Sequence, residues 1–255
     1  MKKTIAVFLA VLMAVAMFAG CAPKAKTTFT LGLDDAFPPM GYRDEAGNLV
    51  GFDIDLATEV CKRLDYELVL QPINWSLKQQ ELDSGNVDCL WNGYTITEER
   101  LADNSITSPY MKNRQIIVIK AGASVASLAD MAGKKLALQA GSSAEDALNS
   151  DEAFKASLGE VLQYNDNNAA LMDLVSGGCD AVLMDEIVAR HYVKSEKGCE
   201  VTDISLADEE YGVGFRKADT KLRDAVEKTL KEMAADGTLA KISTEWFGSD
   251  VTVIK

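Results

Sequence analysis

The sequence predicts an α/β fold of two similar lobes with a ligand crevice between them. Three observations carry this. Short apolar strands alternate with amphipathic helices along the chain. The pattern L-x-S-G-x-x-D occurs twice, at Leu82–Asp88 and at Leu174–Asp180, each time where a helix gives way to an apolar strand. The composition is that of an ordinary globular protein, with 47% hydrophobic and 25% charged residues and 5 prolines in 255.

The first segment, residues 1–20, differs from all that follows. Lys2 and Lys3 precede an uncharged apolar run from Ile5 to Gly20. A membrane-spanning helix needs about 20 apolar residues, so this shorter run predicts an export signal. It ends in Phe18-Ala19-Gly20-Cys21, which resembles a bacterial lipobox with Phe where Leu is usual. Cys21 is thus the expected lipidated N-terminus, anchoring the protein outside the cell membrane by a diacylglycerol. The competing reading is an ordinary cleaved signal with a chance cysteine. Residues 21–28 form the lipidated end and a linker, and loss of Lys2 and Lys3 takes the net charge from -13 to -15.

Phe29 to Leu33 reads as a strand, followed by a turn at Pro38-Pro39. Over 53–64, Ile54, Ala57, Val60, Cys61 and Leu64 share one helical face, with Asp53 and Asp55 near the positive N-terminus. Tyr66 to Leu70, Ile116 to Ile119 and Leu136 to Leu138 repeat the strand pattern. Leu222, Val226, Leu230 and Met233 mark a late helix closed by Gly237. In both copies of the seven-residue pattern the helix ends at Gly and a strand follows, Cys89–Trp91 or Ala181–Met184. Ligands of such paired α/β lobes lie in the crevice where strand ends face each other.

The net charge of -13 argues against a nucleic-acid partner, which needs a basic surface, and against contact with an anionic membrane face. One histidine, His191, leaves little room for a His-rich metal site or a histidine-based triad. Beyond Cys21, the cysteines are Cys61, Cys89, Cys179 and Cys199. None forms a CxxC pair, which disfavours zinc, and outside the cell three disulfide pairings are open to them.

From Phe29 to Gly248 the chain resembles the extracytoplasmic solute-binding proteins of polar amino-acid ABC transporters. The resemblance rests on Gly47-Asn-Leu-Val-Gly-Phe-Asp-Ile-Asp-Leu-Ala57, on Gly93-Tyr-Thr-Ile-Thr-Glu-Glu-Arg100, on Tyr211-Gly-Val-Gly-Phe-Arg-Lys217 and on Trp246-Phe-Gly248. Tyr94 departs from the usual Met or similar residue. The resemblance implies a type II periplasmic-binding-protein fold with two hinge crossings, 110–114 and 207–211. Lobe 1 would then be 29–109 plus 212–255, and lobe 2 would be 115–206. It also implies a monomer that needs no cofactor, binds a free L-amino acid, docks on permease subunits and touches the membrane only through its anchor.

An amino acid presents a carboxylate, an ammonium and a side chain. By itself Arg100 reads as a surface arginine paired with a glutamate, following the N-cap Thr97 of a short helix. The resemblance makes it the carboxylate clamp, its planar fork donating two parallel bonds. Gly141-Ser142-Ser143-Ala-Glu145 reads as a capping box, and the resemblance adds Ser142 and Ser143 as carboxylate contacts at a helix N-terminus. Asp185 at a strand's end is a helix cap on its own. By resemblance it receives the ammonium, helped by Thr95 and a carbonyl of the loop Asn92-Gly93-Tyr94-Thr95. The side chain would meet Asp34, Phe37, Trp75 and Gln139, with Asp35 and Tyr42 at the rim. Two rival functions are a cyclohexadienyl dehydratase on the same fold, which needs a poised general acid such as Asp34 or Asp185, and a sensory module.

Overall fold

The computed structural model describes residues 26–195 and 198–254. The signal segment and Cys21, on which the export and lipidation expectations fall, lie outside the described residues. The strands are β1 (Thr27–Leu33), β2 (Ala36–Phe37), β3 (Gly41–Arg43), β4 (Leu49–Val50), β5 (Tyr66–Pro72), β6 (Cys89–Thr95), β7 (Asn104–Ile106), β8 (Met111–Lys120), β9 (Lys135–Gln139), β10 (Glu160–Tyr164), β11 (Ala181–Asp185) and β12 (Cys199–Arg216). The helices are α1 (Phe52–Leu64), α2 (Lys78–Asp83), α3 (Glu98–Asp103), α4 (Ser143–Ser150), α5 (Glu152–Ser157), α6 (Asn167–Ser176), α7 (Glu186–Ser195), α8 (Thr220–Ala235) and α9 (Thr238–Phe247).

The main sheet runs β10-β9-β11-β8-β12-β6-β1-β5, with β7 also on β12. Its two ends are built alike. In one, β1 lies parallel between β5 and β6; in the other, β9 lies parallel between β10 and β11. The long antiparallel strands β8 and β12 join these halves. Along their paired stretch Met111 to Gln115 face Tyr211 to Ala207.

The repeated sequence pattern has a structural meaning. Gly85 and Gly177 follow α2 and α6 at φ of 79° and 90°, a left-handed conformation that glycine adopts without a Cβ clash. The aspartate that closes each copy then stitches its strand to the next. Thr30 N–H donates to Asp88 Oδ2 at 2.8 Å and Asp88 N–H to the Thr30 carbonyl at 2.7 Å. Lys135 and Asp180 repeat both bonds at 2.8 and 2.9 Å. One device thus aligns β6 with β1 and β11 with β9.

Strand alternation sorts side chains onto the two sheet faces. Ile116 and Val118 of β8 join Val182 and Met184 of β11 in a core that continues across both halves to Phe29, Leu31 and Trp91. On the opposite face Ile117, Ile119, Ala181 and Leu183 form a separate cluster, and Trp75, Leu90 and Tyr94 another. Each fully buried Leu or Ile contributes about 1.5–3 kcal/mol. The halves therefore share one core on one face and keep separate cores on the other. Helix α8 buries Val226, Leu230 and Met233 as expected, ending one residue before Asp236 caps it; Gly237, at φ 82°, is the residue from which α9 starts.

One sequence expectation changes and one open point is answered. Asn92 to Thr95 is not a loop but the end of β6, because Tyr94 and Thr95 pair with Gly212 and Tyr211 of β12. None of the three disulfide pairings forms, since Cys61, Cys89 and Cys179 are free thiols. All four cysteines are buried, and burial pushes the Cys61 and Cys179 thiols up to about 12.

Candidate functional site

The candidate residues gather where strands end. Asp34 follows β1, Asn92 to Thr95 close β6, Gln139 closes β9 and Asp185 closes β11. Arg100 rises from α3, whose N-cap Thr97 accepts the Arg100 N–H at 3.1 Å. Ser142 caps α4, accepting from Glu145 N–H at 3.3 Å, while Glu145 reaches back to Gly141 N–H at 2.7 Å. The strand ends of both halves thus face one cleft.

At the polar end of that cleft, Arg100 is buried with its guanidinium over the Tyr94 ring, 4.7 Å from the centroid. It donates to the Thr95 carbonyl at 3.0 Å and, across the cleft, to Asp146 at 3.2 Å. Thr95 Oγ1 lies 3.0 Å from Ser143 Oγ and donates to Glu209 at 3.1 Å. Asp185 is almost fully buried and accepts from Asn113 Nδ2 at 2.8 Å and from the Tyr211 hydroxyl. Burial, and the like charge of Glu209, push its carboxyl well above the usual range.

At the other end Gln139 Nε2 donates to Asp34 Oδ2 at 2.7 Å, bringing the two halves together. Asn92 Oδ1 accepts the Asp34 N–H at 3.0 Å, and Ala36 N–H donates to Asp34 Oδ1 at 2.9 Å. Burial raises the Asp34 carboxyl to about 6, with Asp166 and Asp35 adding to the rise and the two hydrogen bonds opposing it. Phe37 packs against Gly93, whose φ of 57° leaves no room for a Cβ, which would lie 2.8 Å from the Phe37 ring.

Some expected residues face elsewhere. The Ser142 hydroxyl is committed to the Gln139 carbonyl at 2.7 Å as well as to its cap. Tyr94 turns its ring into the small core beside Trp75, and its hydroxyl meets Asn104 at 3.1 Å. Trp75 packs in that same core, with Lys78 Nζ 5.5 Å from its ring. At the rim Asp35 pairs with Arg43, and Tyr42 stacks near His191 and Trp246. An open groove of about 1140 Å³ lined by Thr95, Ser143, Asp146 and Glu209 leads out of the cleft.

The description "Bacterial extracellular solute-binding proteins, family 3" matches residues 29–249, the span that holds every one of these groups. The chain belongs to that family. Among relatives of this solute-binding protein, the L-cystine-binding protein TcyJ of Escherichia coli (strain K12) is 32% identical, with 94% of each chain covered. The histidine-binding periplasmic protein of Salmonella typhimurium is 30% identical over 98% of this chain and 99% of its own. In structure, the substrate-binding protein of an ABC uptake transporter from Streptococcus pneumoniae, with bound histidine, has a TM-score of 0.85 at 37% identity, covering 89% of this chain and 94% of that one. This solute-binding protein therefore has the two-lobed type II fold, and it is a binding protein rather than an enzyme. Among its described residues no helix is long and apolar enough to cross a membrane.

Several groups of this site escape sequence reading. Lys78 crosses the cleft to the Gly141 carbonyl at 2.6 Å, and burial lowers its ammonium to about 8. Asn113, Gln115 and Glu209 come from the crossing strands. The only local sign was the acidic run Asp208-Glu209-Glu210 just before the apolar Tyr211-Gly-Val segment. Asp53, read from the sequence only as an acidic residue near a helix N-terminus, is fully buried and accepts from Gly93 N–H at 2.7 Å and the Tyr110 hydroxyl at 2.9 Å.

Proposed function

We propose that this solute-binding protein captures a free polar L-amino acid between its lobes and delivers it to the permease of an ABC transporter. One observation carries the reading: a buried cation, Arg100, and a buried carboxyl, Asp185, stand at opposite ends of a single hydrogen-bonded chain through Thr95, Glu209 and Asn113. That is the complement of a zwitterion. In this reading Arg100 and the Ser143 helix N-terminus hold the α-carboxylate, while Asp185 and Thr95 hold the α-ammonium. Asp34, Phe37 and Gln139 read the side chain, with Asn92 and Gly93 shaping the floor, while Trp75 and Tyr94 support that floor from the core behind it. Charge-assisted bonds of this kind discriminate against ligands lacking either group.

The lobes in this reading are 29–109 plus 212–255 and 115–206, hinged at 110–114 and 207–211. The antiparallel pairing of Met111–Gln115 with Ala207–Tyr211 supports that division. Cys21 would carry the lipid anchor, checked by the mass of the mature N-terminal peptide. The binding test is thermal unfolding of residues 22–255 against the twenty amino acids and cystine. A ligand at 100 times its dissociation constant adds about 2.7 kcal/mol of stability. Shifts confined to Arg, Lys and His make Asp34 a charge partner, whereas shifts with Gln, Asn or cystine make it an acceptor for neutral polar groups. No shift with any of them would overturn the amino-acid reading.

A further inference from the structure

Glu209 sits on β12 within the second crossing, half-buried, beside Asp185. Its Oε2 accepts from three neutral donors: Asn113 Nδ2 at 2.9 Å, Thr95 Oγ1 at 3.1 Å and Gln115 Nε2 at 3.1 Å. Asn113 Nδ2 also donates to Asp185, so one amide nitrogen ties the two carboxyls together. Among the described residues neither carboxyl has a lysine or arginine within 4.0 Å. The nearby Arg114 is bidentate on Glu186 at 2.7 and 2.9 Å, and Arg100 is held by Thr95 and Asp146. A second, independent sign lies in Gln115, which is fully buried. Its Nε2 donates to Glu209 and Ser143, yet its Oε1 has no hydrogen-bond partner. Two carboxyls tied by one amide nitrogen, with an orphaned amide oxygen on the adjoining Gln115, thus lie together with neutral donors and no cation. An ammonium supplies the missing positive charge and three further N–H groups.

We infer that Glu209 is a second receptor for the ligand's ammonium, and that a proton held on Asp185 in the empty cleft leaves to solvent when the ammonium arrives. This rests on the reading that Asp185 receives the ammonium. Burial, and the neighbouring Glu209 carboxylate, hold that proton on Asp185. The other titratable groups around them are Tyr211, which donates to Asp185, and Tyr110 packed on the Tyr211 ring. Lys112, Asp208 and Glu210 line the cavity of about 700 Å³ behind Glu209, together with the Arg114–Glu186 pair. The arrangement places a proton-linked receptor on a hinge strand, so that filling it also bridges the second lobe to the crossing.

The test is calorimetric titration of the purified protein with L-arginine and with L-glutamine, whose side chains do not titrate near neutrality. Running each at pH 7 in two buffers of different ionisation enthalpy counts the protons. Wild type should release up to about one proton per ligand, with affinity rising as pH goes from 6 to 8. Glu209→Gln should bind at least about tenfold more weakly and release far fewer protons, since the like charge on Asp185 is gone. Wild-type affinity and proton count in Glu209→Gln would overturn the inference. Unimpaired binding by Asp185→Asn would instead overturn the assignment of Asp185 as ammonium receptor. If neither probe binds, carboxyl ¹³C titration of the ligand-free protein decides. An Asp185 carboxyl that titrates near neutrality and moves down in Glu209→Gln supports the proton release, and a carboxyl that titrates unchanged overturns it.

Discussion

In the proposed reading, Arg100 and Asp34 do opposite jobs at the two ends of the cleft. Arg100 is held in place by the Thr95 carbonyl and stacks on Tyr94, so its fork is preorganised before a carboxylate arrives. Arg100→Ala should weaken amino-acid binding by at least about 2 kcal/mol, the scale for breaking a buried charged pair. Near-normal affinity by calorimetry would remove the clamp role. Asp34, raised to about 6 by burial, is ionised above that pH and neutral below it. A cationic ligand side chain should therefore be held less tightly as pH falls from 7 to 5. Asp34→Asn should remove the part of that pH dependence that cationic side chains show beyond neutral ones, and reorder the preference among amino acids. An unchanged rank order would show that Asp34 does not read the side chain.

The strand end that carries the site is shaped by two residues that act through the backbone. Gly93, at φ 57° against the Phe37 and Tyr211 rings, admits no side chain. Gly93→Ala should cost about 1–3 kcal/mol of stability, read as a lowered urea midpoint, and should weaken binding because Asn92 and Thr95 flank it. Asp53 anchors the same strand through the Gly93 N–H. Burial raises its carboxyl to about 7, against about 3.9 in an unfolded chain. The native state thus holds the extra proton between those values. The stability linked to this group is full below the unfolded value and is lost as pH rises through 7, by up to about 1.4 kcal/mol per pH unit. Asp53→Asn should flatten the fall in stability between pH 5 and 8; parallel slopes for the two proteins would exclude Asp53 as its source. In the repeated stitch, Asp88→Ala should cost about 1–2 kcal/mol, and more than Asp180→Ala, because the Asp88 bond is the more buried of the two.

Across the whole protein the cleft is bridged at both ends. Lys78 meets Gly141, Arg100 meets Asp146, Asp34 meets Gln139 and Tyr192 donates to the Ala36 carbonyl at 3.1 Å. These are few and mostly polar, whereas the joining strands β8 and β12 are long and paired throughout the crossing. Such a balance suits hinge closure, in which ligand shifts a population between open and closed arrangements. Small-angle scattering should show a smaller radius of gyration once the amino acid that stabilises the protein is added. Lys78→Met should reduce that change and weaken binding about tenfold, the value of one charged hydrogen bond. Identical scattering with and without ligand would remove the hinge.

The sequence by itself determined the α/β class, the position of most strands and the late helix, because local periodicity of apolar residues is set by the same burial that the fold achieves. It also revealed the twofold repeat, because a left-handed glycine and a strand-stitching aspartate are local necessities; the structure shows both copies making identical bonds. The resemblance in motif placed Arg100, Thr95, Ser143 and Asp185 around one cleft. What the sequence left out depends on long-range contact. Only the tertiary structure turned Asn92–Thr95 into a strand, since its partner, Gly212 and Tyr211, lies more than a hundred residues away. Only it buried Asp53 beneath Gly93, aimed Tyr94 and Trp75 into a core, and set Glu209 against Asp185. A carboxylate's chemistry is decided by what surrounds it, and for these residues the surroundings come from other parts of the chain.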